Sequence, residues 1–322
     1  MAEERYKRYD IIKMMNEETK TQTTTYYPVP IAVIIFNRPE VTKKLAEVIK
    51  QVRPETLYII SDGAREDHPG EDALVRETRE IMEAAAKPEH QVHIYAEHNM
   101  RCDPRISSGL DAVFAEAQEA IILEDDCIPD LSFFPFAQEM LERYRDNPEI
   151  ALIGGSFRTN YVPKASYTFT ARTSMWGWAT WAKVWNTYRK DPVEWGAVRD
   201  TDRWRYALNR KEQQVFVMQW DRYDTEKDFP WDAKFLLYLF CNRMMGISPK
   251  VNLVRNIGAG DDATHYSQED EITRWPVGTL EFPLVHPTLI QRDLVYEKAN
   301  FREGEIRKWK SRFRRYILRR SE

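Results

Sequence analysis

The chain has 322 residues, 47 Lys and Arg against 51 Asp and Glu, and a net charge of −4. That balance leaves no basic footprint for nucleic acid over the protein as a whole, and a hydrophobic fraction of 43% suits one large core or two intimate ones. Cys102, Cys127 and Cys241 are an odd number without metal-type spacing, so a disulfide framework is not expected and a reducing compartment is. Met1 leads into Ala-Glu-Glu-Arg, charged where a signal peptide is apolar, and no run has the length of a membrane span, which predicts a cytoplasmic protein.

Residues 1–27 read as a polar extension with a short helix near Ile11–Met15. Pro30–Phe36 is continuous and β-branched, the pattern of a strand buried on both faces. Asn37-Arg38-Pro39-Glu40 is a turn with Pro near a helix start, and Val41, Leu45, Val48 and Ile49 share the face of the helix that follows. The unit then repeats. Leu57–Ile60 is a strand ending in Ser61-Asp62-Gly63, a helix covers about 71–86, and Val92–Tyr95 is a third strand. Ser107 is expected to cap a helix running to about Gln118, Ala120–Leu123 is a fourth strand, a helix spans Ser132–Tyr144, and Ile150–Ile153 is a fifth strand. Strands alternating with helices predict an α/β fold with a mostly parallel central sheet flanked by helices and right-handed crossovers. No G-x-G-x-x-G follows the first strand and no G-x-x-x-x-G-K-[ST] occurs, which disfavours a dinucleotide site and a P-loop. After Gly155 the pattern loosens and tryptophans crowd 176–181; they read mostly as core, with one ring available to an acceptor sugar.

The fourth strand ends in Glu124-Asp125-Asp126. In an open α/β sheet ligands bind outside the carboxyl ends of the strands. Carboxylates bunched there repel unless a cation sits between them, and a divalent metal holding phosphate oxygens is the usual answer; a solvated acidic turn is the bland alternative. Asp62, after the second strand, suits a base N–H such as that of uracil, though Ser-Asp-Gly is also ordinary turn chemistry. Arg38, after the first strand, suits phosphate or a base carbonyl. Arg101 and Arg105 precede Ser107-Ser108-Gly109, where a helix N-terminus could take a diphosphate; an N-cap beside a surface arginine is the alternative.

These strand ends resemble those of glycosyltransferases of the GT-A fold, N-acetylglucosaminyltransferase I and bacterial family-two-like enzymes among them. The resemblance rests on Phe36-Asn37-Arg38, on Ser61-Asp62, and on the string Leu123-Glu124-Asp125-Asp126-Cys127-Ile128-Pro129-Asp130-Leu131-Ser132-Phe133-Phe134; it spans roughly 28–270 and is thin outside these motifs. It implies a GT-A (Rossmann-like) fold with a less regular acceptor-side half, and that Asp126 contacts Mn2+ (or Mg2+) directly while Glu124 and Asp125 bind ribose, the transferring sugar or metal-bound water. It also implies that Asp232, in Phe229-Pro230-Trp231-Asp232, is the catalytic base; without it Asp232 reads as a helix-start acid, a position the helix dipole favours. The Gly-rich loop from Asn256 to His265 could close over a diphosphate, with His265 as a metal or phosphate ligand or as a structural histidine. Asp261-Asp262 is a rival acidic pair without so clean a strand before it.

The expected boundaries are an extension at 1–27, a nucleotide-sugar half at 28–155, an acceptor and catalytic half at 156–280, and a C-terminal segment at 281–322. Between Arg302 and Glu322 lie nine Arg or Lys, with Ile306, Trp309, Phe313, Tyr316 and Ile317 on one helical face. That suits peripheral contact with an anionic membrane holding lipid-linked acceptors, or docking on the chain's own domain. The expected activity is metal-dependent, inverting transfer of a sugar from a nucleotide diphosphate, UDP in the first instance, to a glycan or lipid-linked hydroxyl. Two alternatives are a metal-dependent phosphohydrolase using the triplet with Asp261 and Asp262, and a non-catalytic sugar-nucleotide or glycan-binding module.

Overall fold

The computed structural model describes residues 26–223, 230–258 and 275–304. The expected N-terminal helix, His265, Asp261-Asp262 and the basic tail beyond residue 304 lie outside the described residues.

The first half alternates as its apolar runs predict: β1 (Ile31–Ile35), α1 (Pro39–Val52), β2 (Thr56–Ser61), α2 (Glu71–Ala85), β3 (His90–Tyr95), α3 (Cys102–Glu116) and β4 (Glu119–Glu124). β1 lies between β2 and β4 and is parallel to both, Ile31 opposite Leu57 on one side and Ile121 on the other. Its side chains are buried on both faces because helices cover both, and each fully buried Ile or Val is worth about 1.5–3 kcal/mol of hydrophobic transfer. α1 starts on Pro39, which cannot donate a backbone hydrogen bond and needs none there, and ends at Arg53 in the left-handed region with its N–H on the Ile49 carbonyl.

One boundary differs from the expectation. α3 begins at Cys102, and Ser107 is buried inside the helix rather than capping it. Pro104 falls in the first turn, where a missing N–H costs nothing, so it does not delay the helix. Gly109 has a packing role: a Cβ there would stand 2.5 Å from the Ile60 side chain, so its absence lets α3 lie against β2.

The chain continues through β5 (Cys127–Pro129), α4 (Phe133–Tyr144), β6 (Ile150–Gly154), β7 (Tyr167–Thr170), β8 (Trp178–Trp181), α5 (Ala182–Lys190), α6 (Trp195–Val198), α7 (Arg210–Tyr223), α8 (Trp231–Cys241), β9 (Met245–Pro249) and β10 (Val254–Asn256). The sheet order is β3-β2-β1-β4-β8-β6-β9-β7. β6 does not follow β4 directly: β8 comes back antiparallel between them, with Trp178 and Trp181 fully buried. β7, also antiparallel, closes the far side on β9. The result is a mixed α/β protein with a large, mostly parallel central sheet flanked by helices.

Among the described residues two cores hold it together. The larger runs along the sheet from Ile59 and Ile31 to Trp178, Phe235 and Ile247. The smaller gathers Trp195, Trp204, Trp220, Leu237 and Phe240 beneath α6, α7 and α8. The open edge of β7 is covered by residues 285–293, through Ser166 N–H to the Val285 carbonyl (2.7 Å) and Asp293 N–H to the Phe169 carbonyl (2.8 Å). Buried Glu297 accepts from the Ala171 N–H (2.7 Å) and Thr170 Oγ1 (3.1 Å), fastening the last described helix, residues 294–304, to the same edge.

Candidate functional site

β3, β2, β1 and β4 are neighbours and parallel, so their carboxyl ends share one edge of the sheet. Arg38, Asp62 and Glu124-Asp125-Asp126 are delivered there by β1, β2 and β4. The β1–β4 ladder runs one residue past the strand, Asp125 N–H donating to the Ile34 carbonyl at 2.9 Å, and this fixes where the triplet turns. The chain then enters β5, which pairs antiparallel with β10, Cys127 opposite Asn256.

A cation does sit between two of the carboxylates, and it belongs to the chain. Arg38 Nε donates to Asp125 Oδ2 (3.1 Å), its Nη2 reaches Asp125 Oδ1, and the same Nη2 donates to Asp126 Oδ2 at 3.0 Å. Pro39 restricts the Arg38 backbone to non-helical angles (φ −115°, ψ 76°). The preceding Asn37 donates to Glu71 Oε1 (2.8 Å), itself paired with Arg65, so the whole turn is pinned.

Asp126 is clamped from the opposite side. Asn256 Nδ2 donates to its Oδ1 at 3.1 Å, and Ile257 N–H donates to its carbonyl at 2.8 Å. Gly258 lies so close that a Cβ there would press into Asp126 Oδ2; its N–H is held by Asn256 Oδ1 at 3.0 Å. Asn256 and Gly258 were expected only as the start of a phosphate-covering loop. Their bonding to Asp126, 130 residues away in sequence for Asn256, has no local signal.

Electrostatics mark the triplet as crowded. Burial, then Asp126, Asp125 and Asp232, push the Glu124 carboxyl up to about 8, with Arg38 opposing. Burial pushes Asp125 up to about 6 against the pull of Arg38. Burial also opposes the charge on Arg38, but Asp125 and then Asp126 outweigh it and raise its affinity for the proton.

Asp232 is exposed in the first turn of α8, its Oδ1 accepting the Ala233 N–H at 2.9 Å. Its neighbour Trp231 stacks on Trp178 (centroids 5.6 Å) and meets Trp185 edge-on (6.3 Å). Lys234 pairs with Asp103 of α3 at 2.8 Å. The aromatic anchor and this ion pair set the start of α8 at the edge where the triplet lies, and the charge of Asp232 is felt at Glu124. Cys102, at the start of α3, was not singled out by the sequence. The residue is exposed, yet desolvation of the thiol itself and then the charges of Glu124, Asp103, Asp232 and Asp62 push it up to about 12.

Of the remaining candidates, Asp62 follows β2, and Arg101 and Arg105 lie at the start of α3. Asp62 is buried and ties its own turn to the loop after β3, Oδ1 accepting from Gly63 N–H and Met100 N–H (2.9 Å each) and Oδ2 from Met100 N–H (3.1 Å). Burial raises its pKa despite these bonds. Arg101, an exposed residue at φ 69°, precedes α3, its N–H donating to Asn99 Oδ1 at 3.2 Å. Arg105 is buried one turn into the helix beside Met100 Sδ (3.8 Å), and its Nε has no hydrogen-bond partner. Trp178, Trp181 and Trp185 are core, while Trp176 is half-buried with the Arg158 guanidinium 4.2 Å from its ring centroid.

Among the described residues no three His, Cys, Asp or Glu side chains converge to hold a metal ion by themselves. No protein-family model matches the chain, and no curated protein matches it. Solved structures resemble the chain only faintly, the following among them. A mannosyltransferase from Pyrobaculum calidifontis, in complex with GDP-mannose and Mn2+, is 13% identical at a TM-score of 0.35 over 72% of this chain and 75% of its own. A 4-diphosphocytidyl-2C-methyl-D-erythritol synthase from Anaerococcus prevotii is 10% identical at 0.31, over 62% of this chain and 97% of its own. The protein A197 from STIV is 7% identical at 0.33, over 70% and 83%. At such scores the likeness adds nothing to the topology and geometry of the chain itself.

Proposed function

We propose that the chain is a GT-A-type glycosyltransferase that moves a sugar from a nucleotide diphosphate, UDP in the first instance, onto a glycan or lipid-linked hydroxyl with inversion. One observation carries the reading: a crowded triplet of carboxylates at the carboxyl edge of a parallel sheet, clamped by Arg38 and Asn256, with a further carboxylate at a helix start bearing on it. Residues 28–155 would form the donor side and 156–280 the acceptor side.

The donor set suits a divalent ion that shares its shell with substrate phosphates. Asp126 offers hard oxygens with lone pairs to spare, and the bare Gly258 leaves room beside Oδ2 that any side chain would fill. Asp126 would hold the Mn2+ or Mg2+, which supplies neutralisation of the leaving diphosphate. Glu124 and Asp125 would orient ribose and sugar, Arg38 would meet phosphate, and Asp62, Arg101 and Arg105 would line the nucleotide. His265 is assigned as an accessory ligand from its motif alone. Asp232 would take the proton of the acceptor hydroxyl as it attacks the anomeric carbon and the bond to the diphosphate breaks; a single displacement needs no covalent nucleophile.

The test is calorimetry and turnover across UDP-, GDP- and TDP-sugars with and without Mn2+. Metal-dependent binding of at least one diphosphate is expected, and its absence for all of them sinks the reading. We also assign peripheral membrane contact to the region joining 285–295 to the basic tail. Val285, Leu289, Ile290, Leu294 and Val295 are exposed there, and nine Arg or Lys follow from Arg302 onward. Among the described residues no helix is long and apolar enough to cross a membrane. Co-sedimentation with anionic but not neutral vesicles is expected, and equal behaviour with both removes the assignment.

A further inference from the structure

Resting on the reading above, we propose that Arg38 is the built-in counter-cation of the acidic triplet, and that it makes metal binding conditional on the nucleotide diphosphate. The geometry is specific. One guanidinium forks across both oxygens of Asp125 and takes Asp126 Oδ2 as well, so it stands on the carboxylate that would hold the metal. Asn256 holds the other oxygen of Asp126, so the carboxylate is tied at both oxygens, with Arg38 on the one that faces bare Gly258.

A dication approaching Asp126 alone therefore meets a fixed positive charge and must compete for an oxygen already bonded to it. A diphosphate changes the balance, because it brings negative oxygens that match the planar fork of a guanidinium. Arg38 can then exchange Asp126 for phosphate while keeping Asp125, and Asp126 is released to a metal that the same phosphates hold. The backbone need not move. Pro39 restrains the angles of Arg38, and the Asn37–Glu71–Arg65 cluster pins the turn before it, so the exchange is confined to one side chain. The device also explains how three adjacent carboxylates, two of them pushed up by burial and one another, sit at the end of a strand in a stable fold. It keeps the site from loading free metal, which would occupy Asp126 without a substrate.

The experiment is calorimetry of MnCl2 into the full chain, wild type and Arg38→Met, each alone and with saturating UDP, GDP or TDP. Wild type is expected to bind Mn2+ at least about tenfold more weakly alone than with its nucleotide. Arg38→Met is expected to bind Mn2+ alone about tenfold more tightly than wild type, so that most of the nucleotide dependence disappears. If wild type binds Mn2+ with a nucleotide but Arg38→Met binds free Mn2+ no better than wild type, the counter-cation role is wrong while the transferase reading stands. If wild type fails to bind Mn2+ in the presence of UDP, GDP or TDP alike, the transferase reading itself fails. Removing Arg38 also removes charge compensation, so thermal melting gives a second readout. Mn2+ without nucleotide should raise the melting midpoint of Arg38→Met more than that of wild type. Equal shifts, or a variant that stays unfolded at every Mn2+ concentration, overturn the proposal.

Discussion

The two halves of the sheet solve different problems. β3, β2, β1 and β4 are parallel, and β2, β1 and β4 are built around buried apolar runs while β3 is a half-exposed edge strand; they end together and aim charge at one edge. β8, β6, β9 and β7 mix directions and are packed by aromatic rings, with Trp178 and Trp185 against Phe235 of α8 and Trp181 donating to the Leu141 carbonyl of α4. The first half sets where the acidic triplet lies. The second sets where Asp232 lies, because Trp231 is anchored on Trp178 and Trp185. Chemistry that needs both carboxylate groups therefore depends on an aromatic core that touches neither.

The sharpest way to separate the halves is Asp232→Asn. General-base loss costs ~10²–10⁴-fold in transfer, and the donor side should not notice. Steady-state rates should fall by that factor while calorimetric binding of nucleotide and Mn2+ stays as in wild type; full retention of transfer removes Asp232 as the base.

A second variant breaks the anchoring instead. Trp178→Ala deletes a fully buried ring and its stacking on Trp231, and should cost about 3–5 kcal/mol in denaturant unfolding. Transfer by the folded fraction should fall as well, because the start of α8 loses its seat. Trp204→Ala in the smaller core should cost a similar amount, since that ring too is fully buried, yet leave transfer by the folded fraction close to wild type. Equal kinetic effects from both would mean that α8 is not positioned by the larger aromatic core.

On the donor side the matching change is Asn256→Ala, which frees Asp126 Oδ1 without removing any charge. Partners that orient a ligating carboxylate are worth ~10–100-fold in metal affinity or activity. A loss in that range in nucleotide-dependent Mn2+ binding is expected, and unchanged binding would show that Arg38 alone orients Asp126.

How much of this could be read in advance follows the same division. The runs Ile31–Ile35 and Ala120–Leu123 announce buried strands because burial on both faces demands unbroken apolar sequence. β7 and β8 do not announce themselves: Tyr-Thr-Phe-Thr and Trp-Ala-Thr-Trp are four residues each, and their insertion is decided by what lies beside them. The start of α3 was misplaced because Ser107-Ser108-Gly109 imitates a cap, whereas Gly109 is there for close packing on Ile60. At the site, the residue types at the strand ends were visible, but their partners were not. Arg38 and Asp125 are 87 residues apart, and nothing in either segment says that the arginine turns to the carboxylate. Asp62 is a mixed case: its bond to Gly63 is visible turn chemistry, but its bonds to Met100, 38 residues on, are not.

The smallest expected effect tests the pinned turn beneath Arg38. Burial alone would push the Glu71 carboxyl up, but Arg65, through side-chain and backbone bonds, and then Asn37 outweigh it and hold Glu71 at about 2. A carboxyl whose pKa is lower in the folded chain binds more protons when unfolded over the interval between the two values. Its stabilisation is therefore fully present above the unfolded value of roughly 4.3 and is lost as pH falls towards the folded one. Arg65 is 42% exposed, so solvent screens the pair and the effect is modest. Wild type should melt above Glu71→Gln at pH 6, and the gap should narrow steadily between roughly pH 4.3 and 2, because the acid then protonates in wild type too. If Arg38 relies on this turn, the nucleotide dependence of Mn2+ binding should weaken in Glu71→Gln at pH 6, where the pinning charge is missing. A pH-independent gap would assign Glu71 a packing role instead, and the turn would owe its shape to Pro39 alone.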